Sequence, residues 1–150
     1  METATMGRVV VPACIENLGD LLKVREGTLA PEAVRRLEVP DALVDTGATA
    51  LCIPRRFLTA LGLAAGQKRS VRTAGGLIDV EFYDAVRLTV QGRYCTIDVA
   101  AIDDNCPVLI GQVPLELLDF VVDPKGQKLI GNPAHGGEQM FELYTYLRKP

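Results

Sequence analysis

The sequence predicts a mostly-β fold, small and closed or barrel-like, with two or three short helices. Three observations predict it. Short apolar runs recur along the chain and are separated by turns rich in Gly, Asp and Asn. Two glycine-bearing turns, Ala74-Gly75-Gly76 and Gln91-Gly92, each lie between runs of strand length, as in hairpins. Val86, Leu88 and Val90 alternate with Arg87 and Thr89, the period of a half-buried antiparallel strand.

The elements follow in order. Arg8 to Asn17 reads as a strand, with Pro12 marking an edge or a bulge. Asn17-Leu18-Gly19-Asp20 reads as a turn, and Leu21 to Arg25 as a return strand. Thr28 to Leu37 carries a cap signal, an early acid and late bases, which predicts a short helix over 31–37 within a long connection. Glu38 to Asp45 is a strand, and Ala50-Leu51-Cys52-Ile53 is a short buried one. Pro54 precedes a short helix over 55–61 that Gly62 stops. Gln67 to Thr73 and Leu77 to Tyr83 form one hairpin; Ala85 to Val90 and Arg93 to Ile102 form a second. Pro107 to Gly111 is a short apolar strand ending in glycine, and Val113 to Leu118 a brief helix. Phe120-Val121-Val122 and Gln127 to Ile130 pair across Asp123-Pro124-Lys125-Gly126. The tail ends in an apolar segment, Met140 to Leu147, whose spacing fits either a strand or a helix and which needs a surface to pack on.

With 150 residues, 48% of them hydrophobic, and a mean hydropathy of +0.17, the chain reads as a single domain over 1–150. A net charge of -3 and the absence of Trp argue against nucleic acid as a partner. Met1 to Met6 shows neither the basic nor the apolar region of a signal peptide. The run from Val9 to Ile15 is too short to span a bilayer. A soluble, cytoplasmic protein with no membrane partner is expected. Cys14, Cys52, Cys95 and Cys106 form no Cys-x-x-Cys pair and lie in or beside apolar stretches, as reduced cysteines that pack as small hydrophobes.

Elimination narrows the chemistry. The one Ser, Ser70, is not in a nucleophile elbow, and the one His, His135, sits in Pro133-Ala134-His135-Gly136-Gly137, which reads as an exposed loop. No phosphate-binding loop, dinucleotide fingerprint or metal-ligand spacing occurs, so neither cofactor nor metal is expected. Asp103-Asp104 reads as a solvated turn. What remains is Ala42-Leu43-Val44-Asp45-Thr46-Gly47-Ala48-Thr49. An apolar strand delivers Asp45 to a turn that Gly47 allows to be tight and that the Thr46 hydroxyl can lock. Ala48 and Thr49 keep the exit small. Asp-Thr-Gly alone is a weak signal, but its context adds to it: Leu51-Cys52-Ile53 follows, then the glycine-tipped hairpin from Thr73 to Leu77, then Leu109-Ile110-Gly111.

In that order these parts resemble the retropepsin-like aspartic proteases, the single-domain enzymes of retroviral type, over about residues 8–131. Residues 132–150 would then be a C-terminal extension. The resemblance implies a small closed β-barrel of the acid-protease type and hydrolysis of an extended peptide or protein segment. Asp45 would be the general acid/base, with Thr46 holding the loops together across a dimer axis and Gly47 allowing close backbone approach. Ala48, Thr49, Thr73, Ala74, Gly75, Gly76 and Leu77 would meet the substrate, the last five as a flap. Ile110 and Gly111 would back the catalytic loop. Acid-pair hydrolysis needs two carboxylates and the chain carries one Asp-Thr-Gly, so the partner implied is a second copy of itself. The chain departs from the retroviral pattern at Thr49-Ala50 and Gln112, where an acid and its paired Arg would stand. The connection around 26–40 and the tail are additions. The competing reading is a non-catalytic module that holds a peptide or protein segment on the same scaffold.

Overall fold

In the computed structural model, which describes residues 8–143, β1 (Val9–Asn17) is the strand from which the sheet is assembled. Its odd-numbered residues are buried and it pairs antiparallel on both sides, with β2 (Arg36–Val44) and with β5 (Gly76–Val90). The register on β2 slips between Val11 and Ala13, so Pro12 occupies a bulge, where its missing N–H costs no ladder bond. The other strands are β3 (Leu51–Pro54), β4 (Ala65–Thr73), β6 (Arg93–Ile102) and β7 (Leu109–Ile110). The sheet runs β1-β2-β7-β3-β6-β5-β4, and the β1–β5 pairing closes it into a ring that leaves only β4 outside. The mostly-β, closed architecture expected from the sequence is therefore the observed one. A separate two-stranded sheet joins β8 (Phe120–Asp123) and β9 (Lys128–Gly131).

The ring encloses the core. Ile15, Leu51, Ile53, Val86, Leu88, Val99 and Ile110 are all fully buried. The two hairpins read from the sequence share one strand: β5 runs unbroken for 15 residues, pairing with β4 through its first half and with β6 and β1 through its second. Residues 76–81 pair with β4 alone, so the hairpin projects from the ring as an arm. Gln91 and Gly92 at the next turn both take positive φ, 49° and 82°, the twist that a two-residue antiparallel turn requires.

Three α-helices lie between the strands in sequence: α1 (Leu18–Glu26), α2 (Arg55–Ala60) and α3 (Gln112–Leu118). The first corrects the sequence reading of a turn and a return strand. Asn17 caps it, its Oδ1 accepting from Asp20 N at 3.0 Å, and Gly27 closes it at φ 84°. Residues 31–37 are not the expected helix. Only Pro31–Ala33 make a single 3₁₀ turn, because Arg36 and Leu37 are already paired with Glu16 and Ile15 of β1. Asp103 and Asp104, read as a solvated turn, serve α2. Asp104 Oδ1 accepts the Arg56 N–H at 2.6 Å, and Asp103 lies 3.8 Å from Arg55.

All four cysteines are free. No helix among the described residues is long and apolar enough to cross a membrane. The signal-peptide reading of Met1 to Met6 lies outside the described residues, as does the tail beyond 143. Its described part has a 3₁₀ turn at Pro133–His135 and no regular structure from Glu138 to Leu143.

Candidate active site

Asp45 is fixed by the strand that passes beside it. β7 inserts between β2, to which it is parallel, and β3, to which it is antiparallel. Asp45 N donates to Ile110 O at 3.0 Å, directly extending that ladder. The loop that follows folds back over the end of β7. Gly111 N donates to Ala50 O at 3.0 Å, Gln112 N to Ala48 O at 2.8 Å and Val113 N to Thr49 O at 3.0 Å. The last two donors belong to the first turn of α3, whose N–H groups have no partner within the helix. The loop carbonyls supply them. Loop and helix therefore complete each other's hydrogen bonding.

The turn itself is closed by the carboxylate. Asp45 Oδ1 accepts from Gly47 N at 3.0 Å, and Asp45 O accepts from Ala48 N at 3.0 Å. The Thr46 hydroxyl, expected to lock the turn, makes no hydrogen bond within the chain among the described residues and is exposed. Asp45 is half-buried; its Oδ1 is tied to the loop, and its Oδ2 takes no hydrogen bond among the described residues. Gln112 bonds Glu116 at 3.2 Å through its side chain.

The structure thus brings Asp45, Thr46, Gly47, Ala48 and Thr49 into one braced loop. Thr73, Ala74, Gly75, Gly76 and Leu77 form the tip of the β4–β5 arm. Thr73 Oγ1 donates to Gly76 O at 2.8 Å and accepts from Gly75 N at 3.2 Å. The tip is exposed, Leu77 to 64%, and no hydrogen bond joins it to the Asp45 loop among the described residues.

Beside that loop, between the arm, β3, β6 and α3, lies a groove of about 490 Å³. Thr49 and Ala50 line it at the loop end; Cys52, Phe82, Ile97 and Leu117 make most of its wall apolar. Three charged residues also line it: Arg69, Arg72 and Asp98. Arg69 lies over the Phe82 ring, 4.3 Å from its centroid, and reaches Asp98 at 3.4 Å. Apart from Thr49, the sequence reading assigned none of these to the substrate site. The signal was the alternation of β6 and β3 side chains, which marks faces without saying which face meets the groove. Burial pushes the Cys52 thiol up to about 11, and the Asp45 charge adds to the effect. Cys52 is thereby a neutral wall residue that senses Asp45.

A second polar cluster, away from the groove, involves His135. The sequence placed it in an exposed loop, yet its side chain is only 11% exposed. Nδ1 lies 2.6 Å from Asp119 Oδ2 and Nε2 lies 2.8 Å from Glu142 Oε2. Asp119 also accepts from Asn132 Nδ2 and Met140 N. The imidazole is held between two carboxylates, which raise its pKa, while His135 and the other donors lower that of Asp119. Both ring nitrogens are occupied, so the cluster fastens the tail and leaves no free base. No group of three or more His, Cys, Asp or Glu among the described residues is arranged to hold a metal ion.

Comparison with curated proteins finds no match. A family model described as aspartyl protease matches residues 34–124, which take in β2, the Asp45 loop, the β4–β5 arm, β7 and α3. That match spans more than half of the chain, and the chain belongs to the aspartyl protease family, a family of peptidase hydrolases.

Proposed function

We propose that this protein is an aspartic endopeptidase of the retropepsin-like, single-domain type, active as a homodimer in which the Asp45 carboxylates of two subunits meet. The observation that carries this reading is the bracing of the Asp45 loop by β7 and α3. It costs the chain a residue that must be glycine at 111 and leaves one oxygen of a half-buried carboxylate without a partner among the described residues. A loop fixed on one side and open on the other is pre-organised for chemistry at the open side.

The mechanism follows from the pairing. Two carboxylates in contact share one proton, because two like charges do not both ionise there. The ionised member takes a proton from a bound water as the water oxygen bonds to the scissile carbonyl carbon, while the protonated member donates its proton to the carbonyl oxygen. The tetrahedral intermediate then collapses, and the amine leaves with a proton returned by the pair. Gly47 keeps the backbone low beside the substrate, and the arm carrying Ala74, Gly75 and Gly76 closes over an extended peptide as an added strand. The groove lined by Thr49, Cys52 and Phe82 takes apolar side chains. Activity lies on the acid side of neutral.

The test is cleavage of a diverse peptide library from acidic to neutral pH, at protein concentrations that favour dimers, with Asp45→Asn alongside. Cleavage that rises with concentration and vanishes in the variant supports the reading. Absence of cleavage by both proteins, with a monomer in sedimentation, favours a binding module on the same scaffold. Equal cleavage by both removes Asp45 from the chemistry.

A further inference from the structure

On the outside of the ring, α1, the 31–34 connection and β5 enclose a second pocket of about 280 Å³ that shares no residue with the groove beside Asp45. Its wall is apolar, with Leu21 and Leu22 from α1 and Val34 from the connection; Leu22 is 39% exposed there. Its charged residues are Arg25, Arg36 and Arg87, and no acidic residue lines it.

The arginines are under-compensated. Arg36, Glu16 and Arg87 are cross-strand neighbours on β2, β1 and β5, so one carboxylate stands between two guanidinium groups. Glu16 is taken by Arg36 at 3.0 Å. Arg87 stacks on the Tyr94 ring, 4.4 Å to the centroid, and has no salt bridge among the described residues. Its Nε is a buried side-chain atom with no hydrogen-bond partner. Such a group is normally satisfied. Arg25, in the last turn of α1, also has no salt bridge among the described residues.

We propose that this pocket binds a small organic carboxylate with an apolar body, its head between Arg87 and Arg25 and its body on Leu21, Leu22 and Val34. An arginine fork matches a carboxylate in shape and charge, and the apolar wall selects an anion that carries a hydrocarbon part. The site is separate from the proposed peptidase chemistry: it shares no residue with the groove beside Asp45, and Arg36, its one residue on β2, stands at the opposite end of that strand from Asp45.

The test uses octanoate as the probe, with octanol as its uncharged counterpart and acetate as the anion without a body. Binding is followed by amide and arginine side-chain NMR shifts in the full chain. Octanoate is expected to shift Leu21, Leu22, Val34 and Arg87 saturably and to leave Asp45 to Thr49 in place. Octanol and acetate are each expected to bind at least about ten-fold more weakly. Arg87→Gln and the exposed Arg25→Gln, each with a folded amide spectrum, are expected to weaken octanoate by about the same factor. Equal binding of octanol, shifts centred on the groove, no saturable shift, or undiminished binding to both variants would each overturn the proposal.

Discussion

Gly111 and Ala50 touch through their backbones: the Gly111 N–H donates to the Ala50 carbonyl at 3.0 Å, and a Cβ on residue 111 would stand 2.5 Å from that same oxygen. The Ala48 oxygen would be 2.7 Å away. Both neighbours are backbone, so neither can turn aside. Gly111→Ala is therefore expected to destabilise by about 2–3 kcal/mol or more, read as a fall in Tm, because the crossing strand and the Asp45 loop must separate. Gly75→Ala at the arm tip, where the nearest atom is 3.9 Å away, serves as the control and should move stability by less than about 0.5 kcal/mol. Equal Tm values for the two variants would show that the loop is not braced at Gly111.

The parts legible in the sequence were those whose cause is local. Val86, Leu88 and Val90 announce their buried face by alternation alone, and all three are buried. Gln91-Gly92 announces its turn by residue type. The strand into Asp45 and the short apolar run ending at Gly111 were readable for the same reason, though their contact across 66 residues of chain was supplied only by resemblance. α1 was misread despite having local signals. Asn17 and Gly27 are cap residues ten positions apart, but Gly19 and Asp20 within the first turn look like a loop, and that reading won. His135 was illegible: its burial depends on Asp119 from the end of α3 and on Glu142 from the tail, which no local pattern links to it.

Asp20 shows how α1 is tied down. Its carboxylate accepts from Arg35 three times, from the backbone N at 2.9 Å, from Nε at 2.9 Å and from Nη2 at 2.8 Å. These bonds to Arg35 outweigh burial and hold its pKa at about 2, below the ordinary 3.8. A depressed carboxylate stabilises the fold above its unfolded value and loses that contribution as pH falls through the folded one. Asp20→Asn is expected to cost about 1–2 kcal/mol at neutral pH, a figure already reduced for the half-exposed Arg35 side. Urea titrations of both proteins check it. The gap between them should shrink between pH 3.8 and about 2; a gap that widens there would contradict the pairing.

His135 gives the opposite sign. Its pKa is raised from 6.5 by Asp119 first and Glu142 second, so its contribution is complete below 6.5 and fades as pH rises through the higher folded value. Asp119 is lowered from 3.8 by His135 first, so its contribution is complete above 3.8 and fades in stronger acid. The fastening of the tail is therefore strongest between 3.8 and 6.5. His135→Gln is expected to speed hydrogen exchange at Glu138 to Glu142 most within that window and progressively less at alkaline pH. Exchange that accelerates equally at all pH values would mean that His135 acts by shape rather than charge.

Cys52 reports on Asp45 without any substrate. Burial comes first among the causes that raise its thiol to about 11 from 9.0, and the Asp45 charge comes second. Two pH units correspond to about a hundred-fold less thiolate at a given pH, and the thiolate is the species that alkylates. Iodoacetamide labelling of Cys52, followed by peptide mass spectrometry at mildly alkaline pH, should therefore be far slower than that of a free thiol. Asp45→Asn removes the charge and leaves the burial, so labelling should accelerate by a few-fold and remain well below the free-thiol rate. Cys95 provides the internal reference, since burial alone raises its thiol to about 11. An acceleration shared by Cys52 and Cys95 would indicate loosening of the fold. One confined to Cys52 would place the Asp45 charge close enough to the groove wall to be felt there, beside the surface on which the proposed substrate lies.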